Sequence, residues 1–184
     1  MRRFLFVNGS TRPGGNTEQL ARIAARSLPA EVEQQWITLL DHPLPPFTDI
    51  RHSGTYAMPE GNARLLADAT LAATDLVLLA PTYWYGVPWT MKLYLDHWSG
   101  WMRVPELQFK QTLAGRTLHA VVVDSDEDPS EGSSLPVIDS LRRTAVYMSM
   151  NWHGALLGHA NRPGEIEKDA AAIAAARDYF AHNT

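Results

Sequence analysis

Short runs of mainly apolar residues alternate along this chain with segments in which apolar residues recur every three or four positions. The runs cover residues 4–7, 32–40, 76–80, 118–123 and 152–157. Consecutive apolar positions are typical of strands buried on both faces, whereas recurrence at i, i+3 and i+4 is typical of helices. Five strands alternating with helices predict an α/β fold, a doubly wound five-stranded parallel sheet with helices on both faces.

The helical segments follow the strands at regular intervals. The first is predicted to begin at Asn16, and the third is predicted to run from Trp89 to Trp101. Asn16 and Gln19 have the spacing of a capping box, in which two side chains satisfy free N–H groups at a helix start. We therefore expect the first helix to be capped by its own side chains.

The predicted third helix is apolar on two sides. One stripe contains Met91 and Trp98, and the other contains Trp89 and Trp101. Only one side of a helix faces the strands of a doubly wound sheet, so the second side predicts deep burial or contact with a partner. We expect that partner to be a second copy of the chain, in a homodimer.

Composition limits the classes of function. With 184 residues the chain is expected to form one domain over residues 1–184. Its net charge of −4 gives no reason to expect a nucleic-acid or membrane partner. The absence of cysteine excludes disulfides, thiolate metal sites and cysteine nucleophiles, and we expect no metal site. Because no apolar run has the length of a signal peptide or membrane span, we expect a cytoplasmic protein.

The segment GSTRPGGNT, residues 9–17, connects the first strand to the first helix. Glycine-rich turns at a helix start direct free backbone N–H groups at one point, where the helix dipole favours an anion. Ser10, Thr11 and Thr17 add hydroxyl groups, and Arg12 adds a positive charge. The segment therefore predicts a phosphate-binding loop, with an ordinary strand-to-helix connection as the alternative interpretation.

Two common phosphate motifs do not fit this segment. The dinucleotide motif G-x-G-x-x-G fails because Thr11 occupies the position of its second glycine. The nucleotide P-loop fails because Gly15 and Asn16 replace its lysine and hydroxyl residue, so nothing is provided for a β- or γ-phosphate or for Mg²⁺. The ligand that still fits the segment is a single terminal phosphate, such as that of a mononucleotide.

A second loop with recognition-type residues, PTYWYGVP at residues 81–88, follows the third strand. It offers three aromatic side chains to a flat ring, and Gly86 allows close approach of the backbone. In the strand order 2-1-3-4-5 the first and third strands flank the point where ligands bind. A phosphate loop and an aromatic loop that meet there favour flavin mononucleotide, FMN. Aromatic residues that cap the core or contact another subunit are the alternative.

Both loops resemble those of the NAD(P)H-dependent FMN reductase family, whose phosphate loop reads GS-x-R-x-GGNT. Lys92 and Asp96 also match the K-x-x-x-D of that family's next helix. The resemblance covers nearly the whole chain and implies a flavodoxin-like fold with bound FMN. It also implies that NADPH or NADH reduces the flavin, which then reduces a small acceptor such as a quinone, flavin, azo or nitro compound. The residues expected to bind the cofactor are Ser10, Thr11, Arg12, Asn16, Thr17, Pro81, Thr82, Tyr83, Trp84, Tyr85 and Gly86.

No catalytic acid or base is assigned, because in this chemistry the cofactor performs the difficult step. His97, His153 and His159 are interpreted as packing or surface residues. The acidic loop at residues 125–132 lacks the Ser-Gly-Gly-like turn of many family members, and Ser125 is the candidate in its place.

The sequence does not choose between NADH and NADPH, does not name the acceptor, and leaves other functional hypotheses open, the remotest being a nucleotide-binding protein without flavin. A flavodoxin-type electron carrier without its own NAD(P)H oxidoreductase activity is the second functional hypothesis. Related phosphatases and arsenate reductases are excluded because they need a cysteine nucleophile. The proline-rich segment at residues 43–59 is predicted to be a long loop, and its position relative to the cofactor site is undetermined.

Overall fold

The computed structural model describes residues 2–181, which contain a five-stranded parallel sheet. The strands are β1 (Arg3–Asn8), β2 (Glu33–Thr38), β3 (Asp75–Pro81), β4 (Thr117–Asp124) and β5 (Asn151–His159). Their order is β2-β1-β3-β4-β5, and each neighbouring pair is parallel. The predicted fold class and strand order are confirmed.

Six α-helices occur in the described part of the chain. They are α1 (Asn16–Ala25), α2 (Gly61–Ala72), α3 (Trp89–Trp101), α4 (Phe109–Leu113), α5 (Leu135–Tyr147) and α6 (Ala170–Asp178). The third helix has the predicted bounds. The short helix α4 was not predicted, because five residues make little more than one turn and show no recognisable period.

Side chains of β1 alternate between two apolar cores, one on each face of the sheet. Phe4 and Phe6 pack with residues of α1 and α6, whereas Leu5 and Val7 pack with residues of α2, α3, α4 and α5. Because both faces are covered, all four residues are apolar and almost fully buried. This explains why the strand appears in the sequence as a continuous apolar run.

Strand β5 is longer than its sequence pattern predicts. The apolar run ends at Leu157, but the strand continues to His159. It lies at the edge of the sheet, its register against β4 shifts at Leu118/His119, and Gly154 has a positive φ of 124°. A partly exposed, irregular strand shows a weak pattern. As a result His159 lies at the carboxyl end of a strand and not in a surface loop.

The proline-rich segment packs against α3. His97 hydrogen-bonds the carbonyl oxygen of Pro45 at 2.9 Å, and Phe47 stacks on Tyr56 with 6.1 Å between ring centroids. A Cβ atom at Gly100 would lie 3.0 Å from the Tyr56 ring, so the loop and the helix are in close contact there. The chain therefore covers part of the second apolar stripe of α3 with its own loop.

Two further observations apply to residues 2–181. None of their helices is long and apolar enough to cross a membrane. No group of three or more His, Asp or Glu side chains among them is arranged to hold a metal ion.

Candidate cofactor site

Loops at the carboxyl ends of β1, β3, β4 and β5 enclose two adjoining cavities. The first, of about 150 Å³, lies between residues 10–17, the end of β3 and the loops after β4 and β5. The second, of about 360 Å³, lies between residues 82–85 and 124–133. Thr82, Asp124 and Ser125 line both cavities. The loops after the first and third strands therefore meet, as the strand order requires.

The turn at the start of the first cavity is held open by local hydrogen bonds. The N–H of Ser10 donates to the side-chain oxygen of Asn8 at 3.0 Å, and the Ser10 hydroxyl accepts from the N–H of Arg12 at 3.1 Å. A Cβ atom at Gly15 would lie 3.3 Å from both the Ser10 Oγ and the Arg12 carbonyl oxygen. Glycine at this position keeps the inside of the turn free of side-chain atoms.

No side chain caps the start of α1. Gly15 is the N-cap residue, the Asn16 amide donates to the carbonyl oxygen of Arg162 at 2.9 Å, and the Gln19 amide donates to that of Gly14 at 2.7 Å. The capping-box prediction was wrong, because the loop after β5 supplies a partner for Asn16 that local spacing cannot reveal. The N–H groups of the first turn thus remain available to a bound anion.

Charges at the turn favour an anion, while the one carboxylate that lines the first cavity, that of Asp124, is bound by Ser134 and His159. The Arg12 guanidinium donates to the carbonyl oxygen of Asn161 at 3.2 Å, which holds the positive charge beside the cavity. The carboxylate of Glu18, in the first turn of α1, pairs with Arg22 at 2.6 Å. The helix dipole and one arginine therefore act together at the turn.

Residues 83–86 form a tight turn that carries two exposed aromatic side chains. Tyr83 and Gly86 exchange two backbone hydrogen bonds of 3.0 Å. Trp84 and Tyr85 both have positive φ angles, 50° and 61°, as in a type I′ turn. A left-handed conformation costs a bulky residue on the order of 1–2 kcal/mol. The side chains are 96% and 62% exposed, and both residues line the second cavity.

A buried polar network connects three of the loops. Asp124, at the end of β4, accepts a hydrogen bond from the Ser134 hydroxyl at 2.5 Å and lies 2.6 Å from Nδ1 of His159. Ser134 is also 3.1 Å from the hydroxyl of Thr82. Asp124 and Ser134 are 3% and 1% exposed. The network fixes the wall that the two cavities share.

Comparison with known proteins identifies the family. The model of a family described as having a flavodoxin-like fold matches residues 2–183. The chain belongs to this flavodoxin-like family. The family resemblance derived from the two sequence motifs is thereby confirmed.

Individual relatives agree with this assignment. A Bacillus subtilis (strain 168) protein with the provisional name NAD(P)H-dependent FMN-containing oxidoreductase YwqN is 34% identical over 172 residues, which is 92% of each chain. The structure of a Trp repressor binding protein from Bacillus subtilis has a TM-score of 0.75 at 28% identity, over 96% of this chain and 97% of the other. An FMN-dependent NADH-azoreductase from Bacillus anthracis, solved with FMN, has a TM-score of 0.70 at 11% identity, over 100% and 99%. The last comparison supports the fold alone.

The flavodoxin-like site brings most of the predicted residues together. Thr82, Trp84 and Tyr85 line the second cavity, whereas Thr11 and Gly86 line neither cavity. Gly86 instead closes the aromatic turn. The predicted residues that line the first cavity are Ser10, Arg12, Asn16, Thr17, Pro81, Thr82 and Tyr83. Whether they bind a cofactor stays a prediction.

Of the loop after β4, sequence reasoning named only Ser125, which lines both cavities, and it missed Asp124, Ser134 and the loop after β5. Asp124 was recognised only as the end of an apolar strand, and its partner Ser134 is ten residues away in a segment without periodicity. His159 was interpreted as a packing or surface residue, but it pairs with Asp124 at the site. His97 and His153 do have packing roles, since each ring hydrogen-bonds a backbone carbonyl.

Proposed function

We propose that this protein is an NAD(P)H-dependent oxidoreductase that binds FMN in the two adjoining cavities. One observation carries the proposal. The glycine-rich start of α1, which no side chain caps, lines one cavity, the strained turn at Trp84 and Tyr85 lines the other, and the two cavities share a wall. A phosphate with a flat ring at its other end fits that combination. The provisional name of the relative that is 34% identical supports the same cofactor and co-substrate.

The residues around the first cavity fit a phosphate. The N–H groups at the start of α1, the Thr17 hydroxyl and the Arg12 guanidinium would hold it. The Ser10 hydroxyl donates to the carbonyl oxygen of Arg12 at 3.2 Å and would keep the turn in shape around the phosphate. The open turn at Gly15 leaves room for the approach of its oxygen atoms. The phosphate would therefore be bound mainly by backbone groups that folding has already oriented.

The aromatic turn fits a flat ring. Trp84 and Tyr85 would cover a ring in the second cavity, while tight hydrogen bonding between Tyr83 and Gly86 limits the movement of the turn. Bound FMN accepts a hydride from a nicotinamide and passes two electrons to an acceptor. The protein would orient the ring and leave one side open to the two substrates in turn, which is a ping-pong sequence.

Acidic side chains at the second cavity bear on the choice of acceptor. Asp126, Glu127 and Glu131 line it together with Asp124. Like charges disfavour an anionic acceptor, so the proposal favours small uncharged compounds such as quinones over sulfonated azo dyes. Steady-state rates with a neutral and a sulfonated acceptor of similar reduction potential test this preference.

Anaerobic reduction distinguishes the two functional hypotheses, an NAD(P)H-dependent oxidoreductase and an electron carrier. The FMN-loaded protein is expected to lose its yellow absorbance on mixing with NADH or NADPH alone, and to recover it when a quinone is added. A flavin that binds but is not reduced by either nucleotide would favour the carrier. A protein that takes up no FMN would overturn both.

The phosphate assignment has its own test. Arg12→Ala is expected to weaken FMN binding about tenfold, the lower end of what a hydrogen bond to a charged group contributes, since Arg12 is exposed. Riboflavin, which lacks the phosphate, should bind both proteins equally. Arg64→Ala is the matched control, because it removes the same charge from the outer face of α2 and lines neither cavity.

The proposal keeps the homodimer and the cytoplasmic location expected from the sequence. Trp89 is 60% exposed and Leu40 is 41% exposed, and the two line one shallow apolar depression beside α3. This patch is the proposed dimer contact. Light scattering after size exclusion should show a dimer at micromolar concentration, and Trp89→Lys should shift it to monomer. A wild-type monomer would contradict the proposed contact.

A further inference from the structure

The direction of the hydrogen bonds around Asp124 can be deduced from the number of protons available. Three donors converge on this carboxylate, which itself can only accept: the Ser134 hydroxyl at 2.5 Å, His159 Nδ1 at 2.6 Å and the N–H of Asp126 at 3.3 Å. A serine hydroxyl has one proton, and Ser134 uses it on Asp124. Ser134 can therefore only accept in its second contact, with Thr82.

The same reasoning fixes the hydroxyl of Thr82. In its 3.1 Å contact with Ser134 it must be the donor, so its single proton is used inside the protein. Only lone pairs remain for any ligand that reaches this hydroxyl. We infer that Thr82 is a specificity-determining hydrogen-bond acceptor of the cofactor site, held in that role by Asp124 through Ser134.

The position of Thr82 indicates which ligand groups it would recognise. Thr82 and Asp124 both line both cavities, so the wall where the cavities join offers acceptors from two side chains. A ligand must present O–H or N–H groups there. This inference rests on the proposed function: in FMN such donors are the ribityl hydroxyls, which connect phosphate and ring, and the imide N–H of the ring.

The experiment measures dissociation constants of the apoprotein by quenching of flavin fluorescence. Thr82→Val keeps the shape of the side chain but removes the acceptor, and should weaken FMN binding about two- to tenfold, the range of one net hydrogen bond. Thr82→Ser keeps the hydroxyl and should bind within about twofold of wild type. Equal affinity of Thr82→Val and wild type overturns the inference but leaves the proposed function intact. Failure of the wild type to bind FMN overturns the proposed function itself.

A double-mutant cycle tests the connection through Ser134. Ser134→Ala should weaken FMN binding, because the Thr82 proton is no longer directed away from the ligand. In the Thr82→Val background the same change should cost nothing further, since Ser134 then has no hydroxyl to orient. Additive losses would overturn the connection. Thermal unfolding of each variant confirms that the comparison is made between folded proteins.

Two analogues distinguish the donors. One is FMN methylated at N3, which lacks the imide N–H, and the other carries a phosphopentyl chain without hydroxyls in place of the ribityl group. The Thr82→Val penalty should disappear with the analogue that lacks the recognised donor. A penalty that persists with both analogues would mean that Thr82 accepts a hydrogen bond from neither donor, which overturns the inference.

Discussion

Gly9 and Met91 are so close that no side chain fits between them. A Cβ atom at Gly9 would lie 2.9 Å from the Cβ of Met91 and 3.2 Å from the carbonyl oxygen of Leu79. The backbone here is also bonded on both sides, since Gly9 donates to Leu79 at 2.9 Å and accepts from the Thr90 hydroxyl at 2.5 Å. The start of the proposed phosphate loop is thereby fixed to the first turn of α3, directly after the aromatic loop.

Gly9→Ala is predicted to disturb both loops. The added methyl group must displace backbone or the Cβ of Met91, and overpacking of this kind costs about 1–3 kcal/mol of folding free energy. FMN affinity should fall as well. Urea unfolding and FMN titration measure the two effects. Gly54→Ala is the control, since its nearest contact is an ordinary 3.4 Å to Ile50, and losses of equal size in both variants would contradict the explanation.

The strain in the aromatic turn predicts opposite effects on stability and on binding. Replacing Trp84 with Asn and Tyr85 with Gly gives the sequence preferred in type I′ turns and should raise the free energy of unfolding by about 1–2 kcal/mol. The same double variant should bind FMN more weakly, because both rings over the second cavity are lost. Thermal unfolding without FMN and flavin titration measure these changes. A less stable apoprotein would show that the turn is not strained.

The fold was predictable because the sheet is covered on both faces. Consecutive apolar residues in β1 and β3 and the period of α3 are local signals, and the topology follows from their order. The sequence also located most of the residues that line the first cavity, since those of the proposed phosphate loop are contiguous. The network of Asp124, Ser134 and His159 was not predictable, because it depends on tertiary contacts between two strand ends and the start of α5, and no local pattern indicates those contacts. The position of His159 at the end of β5 was also not predictable. This strand lies at the edge of the sheet and is partly exposed, so its apolar pattern is too weak to show where the strand ends.

At the opposite end of the sheet, a buried pair predicts how stability depends on pH. Nε2 of His119, which is fully buried in β4, lies 3.1 Å from the carboxylate of Asp75, and Arg2 pairs with the same carboxylate at 2.5 Å. Burial lowers the pKa of His119 below its ordinary 6.5, in spite of the bond to Asp75. Burial alone would raise the pKa of Asp75, but hydrogen bonds from His119, Arg2 and Thr74 outweigh it and lower the pKa to about 2.

Both shifts make the folded protein less stable as the pH falls. Below about pH 6.5 the unfolded chain takes up a proton at position 119 before the folded one does, at a cost of up to about 1.4 kcal/mol per pH unit. The contribution of Asp75 is present above pH 3.8 and is lost as the pH falls towards 2. The melting temperature of His119→Gln should therefore fall less between pH 7.5 and pH 5 than the melting temperature of the wild type. The exposed His52→Gln is the control, and identical pH profiles for all three proteins would refute this account.

The close packing of Gly100 against Tyr56 offers a way to test whether the proline-rich loop affects the candidate cofactor site. Gly100→Ala would place a Cβ 3.0 Å from the Tyr56 ring and 3.5 Å from Phe47. We expect faster proteolysis within residues 43–59 and unchanged FMN affinity, because the loop lines neither cavity of the site. Limited trypsin digestion, which cuts after Arg51, and flavin titration measure the two quantities. A clear loss of FMN affinity would mean that the packing of the loop against α3 changes the structure of the cofactor site.

The aromatic contact between Phe4 and Phe180 has a practical consequence. Their rings meet edge to face at 5.3 Å, so residues near both described ends of the chain lie together on the α1 and α6 side of the sheet. Phe4 lies near the start of β1, whereas the proposed FMN cavities lie at the opposite edge. A fluorescent label attached beside Phe4 or Phe180 would therefore lie at the end of the sheet opposite to the proposed flavin cavities.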